Sequence, residues 1–84
     1  MEKNTFSDFG EFFRHKRLSK GLSLRKFCRE YGFDPGNISR MERGKSKPPQ
    51  GKALEKYAPA LSIEIGSEEW IEFETLASVS RGEI

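Results

Sequence analysis

The sequence predicts an all-α protein, a single domain over residues 1–84 built from five helices. Three observations support this prediction. Five segments carry apolar residues at the spacing of an amphipathic helix. Helix-capping residues precede most of these segments, and a glycine or a proline follows most of them. A chain of 84 residues, of which 35% are hydrophobic, can bury one small core but is short for two domains.

The first helix is predicted to begin after Ser7 or Asp8 and to end near Lys20, before Gly21. Two aromatic residues share its buried face, Phe9 and Phe13. Gly10 lies inside this helix, where glycine costs about 1 kcal/mol relative to alanine. We interpret Gly10 as a point of close packing against a neighbouring element.

The second helix, residues 24–31, is predicted from its N-cap Ser23 and from Gly32, which ends it. Its apolar face carries the only cysteine of the chain, Cys28. This position suits a small buried residue, so an inert core thiol is a better interpretation than a reactive nucleophile. A lone cysteine cannot form an internal disulfide, which fits a reducing, cytoplasmic setting.

The third helix is predicted over residues 35–43. Asp34 can cap its N-terminus, Pro35 suits its first position, and Gly44 supplies a left-handed stop. At about 100° per residue, one side of this helix carries Ile38, Met41 and Glu42. The opposite side carries Gly36, Arg40 and Arg43, with Asn37 and Ser39 on its flanks. Such a face can approach another surface closely, and arginine matches the hydrogen-bonding edge of guanine or a phosphate.

The fourth helix is predicted over residues 52–58, with Pro59 ending or kinking it. The core residues of this region are Leu54, Tyr57, Ala58, Leu61 and Ile63. The fifth helix, residues 66–81, opens at Gly66 and Ser67 and has two glutamates near its positive N-terminus. Its apolar stripe consists of Trp70, Phe73 and Ala77. Two further apolar residues are left over from the predicted core, Phe12 and Ile71.

Charge is distributed unevenly along the chain. Residues 1–47 hold 12 Lys/Arg against 6 Asp/Glu, whereas residues 48–84 hold 3 against 7. A basic half indicates a polyanionic partner, although solvated helix faces would explain the charges equally well if these were the only evidence. The sequence contains no Cys/His cluster of the kind that binds a metal and no residue constellation of the kind that carries out catalysis. It also contains no apolar run long enough to cross a membrane.

Four motifs stand out along the first two thirds of the chain: FGEFFRHKR, KGLSLRKFCREYGF, GNISRMERG and the proline that follows KSK. Together they resemble the phage-repressor and Cro type of helix-turn-helix domain, the XRE-like family, over residues 9–63. The resemblance implies a lambda-repressor-like helical bundle. With no catalytic constellation in the sequence, we expect no catalytic activity and no cofactor. The resemblance also implies a sequence-specific transcriptional regulator, a repressor that binds double-stranded DNA as a homodimer and inserts helix 35–43 into the major groove.

The resemblance implies a role for each matching residue. Arg17 and Glu42 correspond to a partly buried structural ion pair, which would explain a carboxylate on the apolar side of helix 35–43. Base contacts are predicted for Pro35, Gly36, Asn37, Ser39 and Arg40. Phosphate contacts are implied for Arg43, Lys45 and Lys47. Phosphate contacts are also predicted for Ser23 and Arg25, which lie at the N-terminus of the second helix.

The sequence departs from the family pattern at two places. Leu24 stands where many members have a glutamine that binds phosphate. Pro35 and Gly36 stand where members often have glutamine or arginine. Direct readout would then depend mainly on three residues, Asn37, Ser39 and Arg40, and specificity would be modest or would depend on DNA shape.

Two interpretations of the fifth helix are open, a homodimer interface or closure of the core over the first and fourth helices. The residues concerned are Trp70, Ile71, Phe73 and Leu76. An alternative function is also open: the acidic, aromatic C-terminal part can bind a toxin, as antitoxin members of the family do when they repress their own operon. Residues 81–84 show no capping pattern, so we expect that the natural chain can extend beyond Ile84.

Overall fold

The computed structural model describes residues 8–83, which form six helical segments and, within that range, no β-strand. The segments are α1 (Phe9–Ser19), α2 (Leu24–Tyr31), α3 (Pro35–Glu42), α4 (Lys52–Glu55), α5 (Tyr57–Ala60) and α6 (Glu68–Ser80). The predicted all-α fold is therefore confirmed. Because α4 and α5 together occupy the place of the predicted fourth helix, all five predicted helices are present.

Side-chain caps begin the helices at the predicted residues. The Asp8 carboxylate accepts a hydrogen bond from the Glu11 amide at 2.8 Å, while the alternative cap, Ser7, lies outside the described residues. The Ser23 hydroxyl and the Asp34 carboxylate cap α2 and α3 in the same way. These oxygens satisfy N–H groups that have no partner within their own helix. Each of these helices therefore starts where its sequence predicts.

The predicted fourth helix is interrupted at Lys56. Lys56 keeps right-handed helical dihedrals, φ −69° and ψ −17°, but it separates α4 from α5. Pro59 has no N–H to donate to the Glu55 carbonyl, so the regular hydrogen-bonding pattern cannot continue across this region. Proline is tolerated in the first turn of α5, where the N–H groups have no intrahelical partner. The helical region therefore continues through Ala60 instead of ending before the proline.

Aromatic side chains of α1 and α6 form the centre of the core. The ring centroid of Phe73 lies 5.0 Å from that of Phe9 and 6.0 Å from that of Phe12. Phe73 is fully buried, and Trp70 is only 7% exposed. Burying several aromatic rings against one another supplies a large share of the hydrophobic stabilisation of a small domain. α6 therefore closes the monomer core over α1.

The burial of α6 decides between the two open interpretations of Trp70 and Phe73, and it corrects the prediction for Phe12. Phe73 and Trp70 are buried within the monomer, so their side chains are not available to a second copy of the chain. Leu76 is half-buried against the core. Of the four predicted interface residues, Ile71 is the exposed one, at 57%. Phe12, which the predicted core leaves over, is 2% exposed because α6 covers it.

Gly10 is a point at which α1 closely approaches α3. A Cβ atom at Gly10 would lie 2.5 Å from the backbone carbonyl oxygens of both Met41 and Glu42. This distance is well below an ordinary van der Waals contact, so a residue with a side chain does not fit without moving α3. The predicted close packing at Gly10 is confirmed, and the glycine sets how near α3 lies to α1.

Candidate nucleic-acid interface

α2 and α3 are joined by a tight turn at Gly32. Gly32 has a left-handed φ of 76°, and the Phe33 amide donates to the Cys28 carbonyl at 2.9 Å. A left-handed φ favours glycine, and the turn lets α3 begin at Pro35. The Phe33 ring packs against the Tyr57 ring at 4.9 Å between centroids, so the turn is attached to the core. The two helices and their turn have the arrangement of a helix-turn-helix.

A buried ion pair attaches α3 to α1. The Arg17 guanidinium donates to both carboxylate oxygens of Glu42, at 2.7 and 2.8 Å, and the two side chains are 7% and 6% exposed. A third hydrogen bond runs from Arg17 to the Leu22 carbonyl at 2.9 Å. The hydrogen bond to Glu42 raises the pKa of Arg17 despite its burial, so the guanidinium stays charged. The structure thus contains the ion pair that the family resemblance implies, and this pair determines which face of α3 turns outward.

The outward face of α3 is open to solvent. It carries the five predicted base-contacting residues, of which Ser39 is half-buried and the others, Pro35, Gly36, Asn37 and Arg40, are exposed. The Arg40 side chain folds back along the helix and donates to the side-chain oxygen of Asn37 at 2.6 Å. A Cβ atom at Gly36 would lie in ordinary contact with the Arg40 guanidinium, at 3.5 Å, and more tightly against the Asp34 carboxylate, at 3.2 Å. The long donor of this face is therefore held near the start of the helix.

The predicted phosphate-contacting residues form two groups. The first group lies at and beyond the C-terminal end of α3 and consists of Arg43, Lys45 and Lys47, all exposed. The second group lies at the N-terminal end of α2 and consists of Ser23 and Arg25, both exposed. Among residues 8–83, no hydrogen bond or ion pair joins the two groups. Three of the four cations of this set therefore lie at or beyond the C-terminal end of α3, and the fourth lies on α2.

Two lysines of the basic half form contacts with other residues of the domain. Lys16 forms an ion pair with Glu69 of α6 at 2.6 Å. The Lys20 ammonium donates to the Ser62 hydroxyl at 2.9 Å and lies 5.6 Å from the centroid of the Tyr31 ring. These lysines connect α1 to other parts of the domain. The excess positive charge of the first half is therefore not all available to a partner.

Arg81 is a residue to which the sequence assigns no role. Its guanidinium donates to the Pro49 carbonyl at 2.6 Å, so the residue after α6 is joined to the loop that carries Lys47. The two residues are 32 positions apart in the chain. Neither periodicity nor a motif relates them, and only the tertiary structure reveals the contact.

The side chains of this surface are suited to binding by hydrogen bonds and charge. The described residues contain no group of three or more His, Cys, Asp or Glu side chains placed to hold a metal ion.

Burial raises the pKa of the Cys28 thiol, and the Glu42 carboxylate acts in the same direction, so this thiol is a poor nucleophile. No helix within the described part of the chain has the length and apolar composition needed to cross a bilayer.

The helix-turn-helix, with an exposed polar face on α3 and lysines beyond it, defines the class of the protein as a helix-turn-helix DNA-binding module. The sequence profile of the helix-turn-helix domain family matches residues 8–63, about two thirds of the chain, and the protein belongs to that family. No curated protein and no solved structure shows significant similarity to the chain. Membership of this family indicates a DNA-binding regulator.

Proposed function

We propose that the protein is a bacterial or phage transcriptional repressor that binds double-stranded DNA sequence-specifically in the cytoplasm. α3 enters the major groove with its outward face against the bases. The observation that carries the proposal is the contrast between the two sides of α3. Its inner side is held by Arg17 and Glu42, and its outer side presents Asn37 and Arg40 to solvent. A helix fixed from behind and open in front is suited to reading base edges.

Arg40 is the principal base-reading residue in this proposal. Its guanidinium is a planar fork that matches the O6 and N7 acceptors of guanine. Asn37 holds it toward the N-terminal part of α3, which is the part of a recognition helix that contacts base edges. Gly36 removes a side chain where the helix backbone comes nearest to the bases. Pro35 and Ser39 complete this surface.

Phosphate contacts hold the helix in the groove. The first group follows α3, where a phosphate strand would pass, and consists of Arg43, Lys45 and Lys47. The second group uses the N-terminal end of α2, where the positive end of the helix dipole favours an anion. Leu24 has no polar side chain to offer at the first position of α2, so this contact depends on Ser23 and Arg25.

Binding as a homodimer is part of the proposal. A single helix-turn-helix makes few contacts, so two copies would occupy half-sites about 34 Å apart on the DNA. Ile71 is the exposed member of the predicted interface, and Leu76, on the same helix, is half-buried against the core. Trp70 and Phe73 support α6 from inside the monomer and do not meet the second copy.

Selection of bound duplexes from a random pool tests sequence-specific binding and dimer geometry together. We expect enrichment of a palindrome whose half-sites are separated by one turn of DNA, about 10 base pairs. Enrichment of a single, unrepeated site would contradict the dimer. A pool that stays random would contradict sequence-specific binding.

Two matched variants separate base reading from phosphate binding. Arg40→Ala should cost about 1 to 3 kcal/mol on the selected site and flatten discrimination at one base pair. Lys47→Ala should weaken all sequences equally and lower the salt slope by about one unit. Salt titrations on the selected site and on its single-base mutants measure both effects. If Arg40→Ala loses affinity uniformly, Arg40 binds phosphate, and base reading must pass to Asn37, Ser39 or DNA shape.

Toxin neutralisation is a second candidate function, and the outer face of α6 favours it. The exposed residues of this face are Glu68, Ile71, Glu74, Thr75 and Val79. Carboxylates around exposed aliphatic side chains suit a basic protein partner, and such an antitoxin would also repress its own operon. Co-expression with a small basic protein encoded beside the gene is the test. A stable complex that Ile71→Asp disrupts would support this function, and undiminished toxicity of that protein would contradict it.

A further inference from the structure

The loop between α3 and α4 carries the proposed phosphate-binding lysines, and hydrogen bonds hold it mainly at its two ends. At its start, the Lys45 amide donates to the Arg40 carbonyl at 2.8 Å. At its end, the Gly51 carbonyl accepts from two amides of α4, each at 3.0 Å. Between these points, as far as the described chain extends, residues 46–50 make one hydrogen bond to the rest of the fold, and Arg81 donates it.

Arg81 is held in place by several hydrogen bonds at once. Nη1 donates to the Pro49 carbonyl at 2.6 Å, while Nε and Nη2 donate to the two carboxylate oxygens of Glu83 at 2.8 and 3.0 Å. Nη2 also lies 3.2 Å from the Ser78 hydroxyl. The hydrogen bond from Arg81 lowers the pKa of Glu83, so the pair stays charged at neutral pH. A guanidinium engaged at all three nitrogens cannot turn away from Pro49 without breaking several of these bonds.

An open cavity of about 440 Å³ lies beside the loop. Lys45 and Lys47 line its loop side, the start of α1 lines another side, and Ser80 is the residue that α6 contributes. Pro48 is buried and Pro49 is half-buried, and each proline restricts its own φ, so the loop is stiff around the carbonyl that Arg81 binds. Within the described chain, the hydrogen bond from Arg81 is the one that joins this stiff part of the loop to the end of α6.

We propose that Arg81 is a positioning residue for DNA binding: through the Pro49 carbonyl it holds the loop in the conformation in which Lys45 and Lys47 meet the phosphate backbone. This assignment rests on the proposed function of the protein. A loop already held in its bound conformation loses less conformational entropy when the complex forms. Arg81 therefore raises the affinity for DNA without touching the DNA itself.

Titration of Arg81→Ala with the selected operator and with an unrelated duplex tests this assignment. We expect Kd to rise roughly three- to tenfold on both duplexes, the range for the net loss of one hydrogen bond. The salt slope should not change, because both lysines still reach phosphates in the complex. A salt slope lower by about one unit would show that Arg81 binds phosphate directly. That result, or an unchanged Kd, overturns the assignment.

A double-mutant cycle shows whether Arg81 acts through the lysines. In a Lys45→Ala/Lys47→Ala background, the effect of Arg81→Ala on Kd should largely disappear, because the loop no longer carries the cations. An equal loss of affinity in both backgrounds would indicate a general structural role and would overturn the assignment. Arg14→Ala removes an exposed cation from α1 and controls for charge alone. If Arg14→Ala weakens binding as much as Arg81→Ala does, charge explains the effect and the assignment fails.

The Gln50 amide reports the contact in the free protein, because its nitrogen is bonded to the Pro49 carbonyl carbon. Its NMR resonance should move in Arg81→Ala, while the amide resonances of α1 stay in place. If Arg81→Ala fails to fold, Glu83→Gln serves as the second variant, because it weakens the paired hydrogen bonds between Arg81 and residue 83. It should shift the Gln50 amide resonance and raise Kd, each by less than is expected for Arg81→Ala. An unmoved resonance with an unchanged Kd in Glu83→Gln overturns the assignment.

The wild-type titration separates failure of the proposed function from failure of this inference. Salt-independent or absent binding of every duplex by the wild-type protein would overturn the proposed function and the role of Arg81 together. Normal binding by the wild-type protein, with no change in Arg81→Ala, would overturn the role of Arg81 alone.

Discussion

Replacement of Glu42 tests how strongly the buried ion pair stabilises the fold. Glu42→Ala would leave the Arg17 guanidinium, whose side chain is 7% exposed, with the Leu22 carbonyl as its acceptor. Removing one member of a buried pair costs about 3 to 5 kcal/mol, because the remaining charge is desolvated without compensation. The free energy of unfolding of a domain of 84 residues is roughly 4 to 13 kcal/mol in total. The variant should therefore lose at least about a quarter of the free energy of unfolding, and it would be unfolded if the total lies at the low end of this range.

Urea unfolding followed by Trp70 fluorescence measures this loss, since the single tryptophan is 7% exposed in the folded protein. Glu69→Ala is the matched control. Its ion pair with Lys16 is equally short, but Glu69 is 44% exposed, so the loss should stay below about 1 kcal/mol. An Arg17→Met/Glu42→Leu protein should recover most of the stability, because packed apolar residues can replace a buried pair. A Glu42→Ala protein that unfolds like the Glu69→Ala control would refute this reasoning.

Two further predictions concern Gly10 and Cys28. Gly10→Ala should destabilise the fold although alanine is the better helix former, because overpacking against the Met41 carbonyl costs about 1 to 3 kcal/mol. Urea unfolding with Arg14→Ala as the exposed control measures the effect, and a gain in stability would contradict the close approach. Cys28 should resist alkylation in the folded protein and react in urea, because it is 2% exposed and burial raises its pKa. The raised pKa of Cys28 contributes to stability in full below the ordinary thiol pKa, and this contribution is lost as the pH rises through the pKa of the folded state. Rapid labelling without denaturant would contradict the burial of the thiol.

Helix boundaries are predictable here because caps and stops act through neighbouring atoms. The Ser67 hydroxyl accepts from the Trp70 amide at 3.1 Å, three residues along the chain, and so begins α6 as predicted. Gly32 ends α2 through its own left-handed φ of 76°. Neither interaction depends on what packs against the helix. A local sequence pattern is therefore sufficient to predict them.

Burial is less predictable when a helix has more than one neighbour. The helical pattern of α1 identifies one buried face with Phe9 and Phe13, but Phe12 is also buried because α6 packs against another side. The apolar stripe of α6 is equally compatible with a core contact and with a dimer contact. A stripe has the same periodicity whether its partner is the same chain or a second copy, so the sequence leaves Phe73 open. The structure places Phe73 in the core.

By itself, the sequence determines the helices, the outward face of α3 and, through the family resemblance, the pairing of Arg17 with Glu42. Only the tertiary structure decides that α3 lies against Gly10, that Lys16 bonds to Glu69 across 53 positions, and that Arg81 reaches Pro49 across 32. Caps and helical periodicity involve residues within about four positions of each other, so they recur in any helix of that sequence. Contacts between distant residues arise from the packing of whole helices, and no local pattern encodes them.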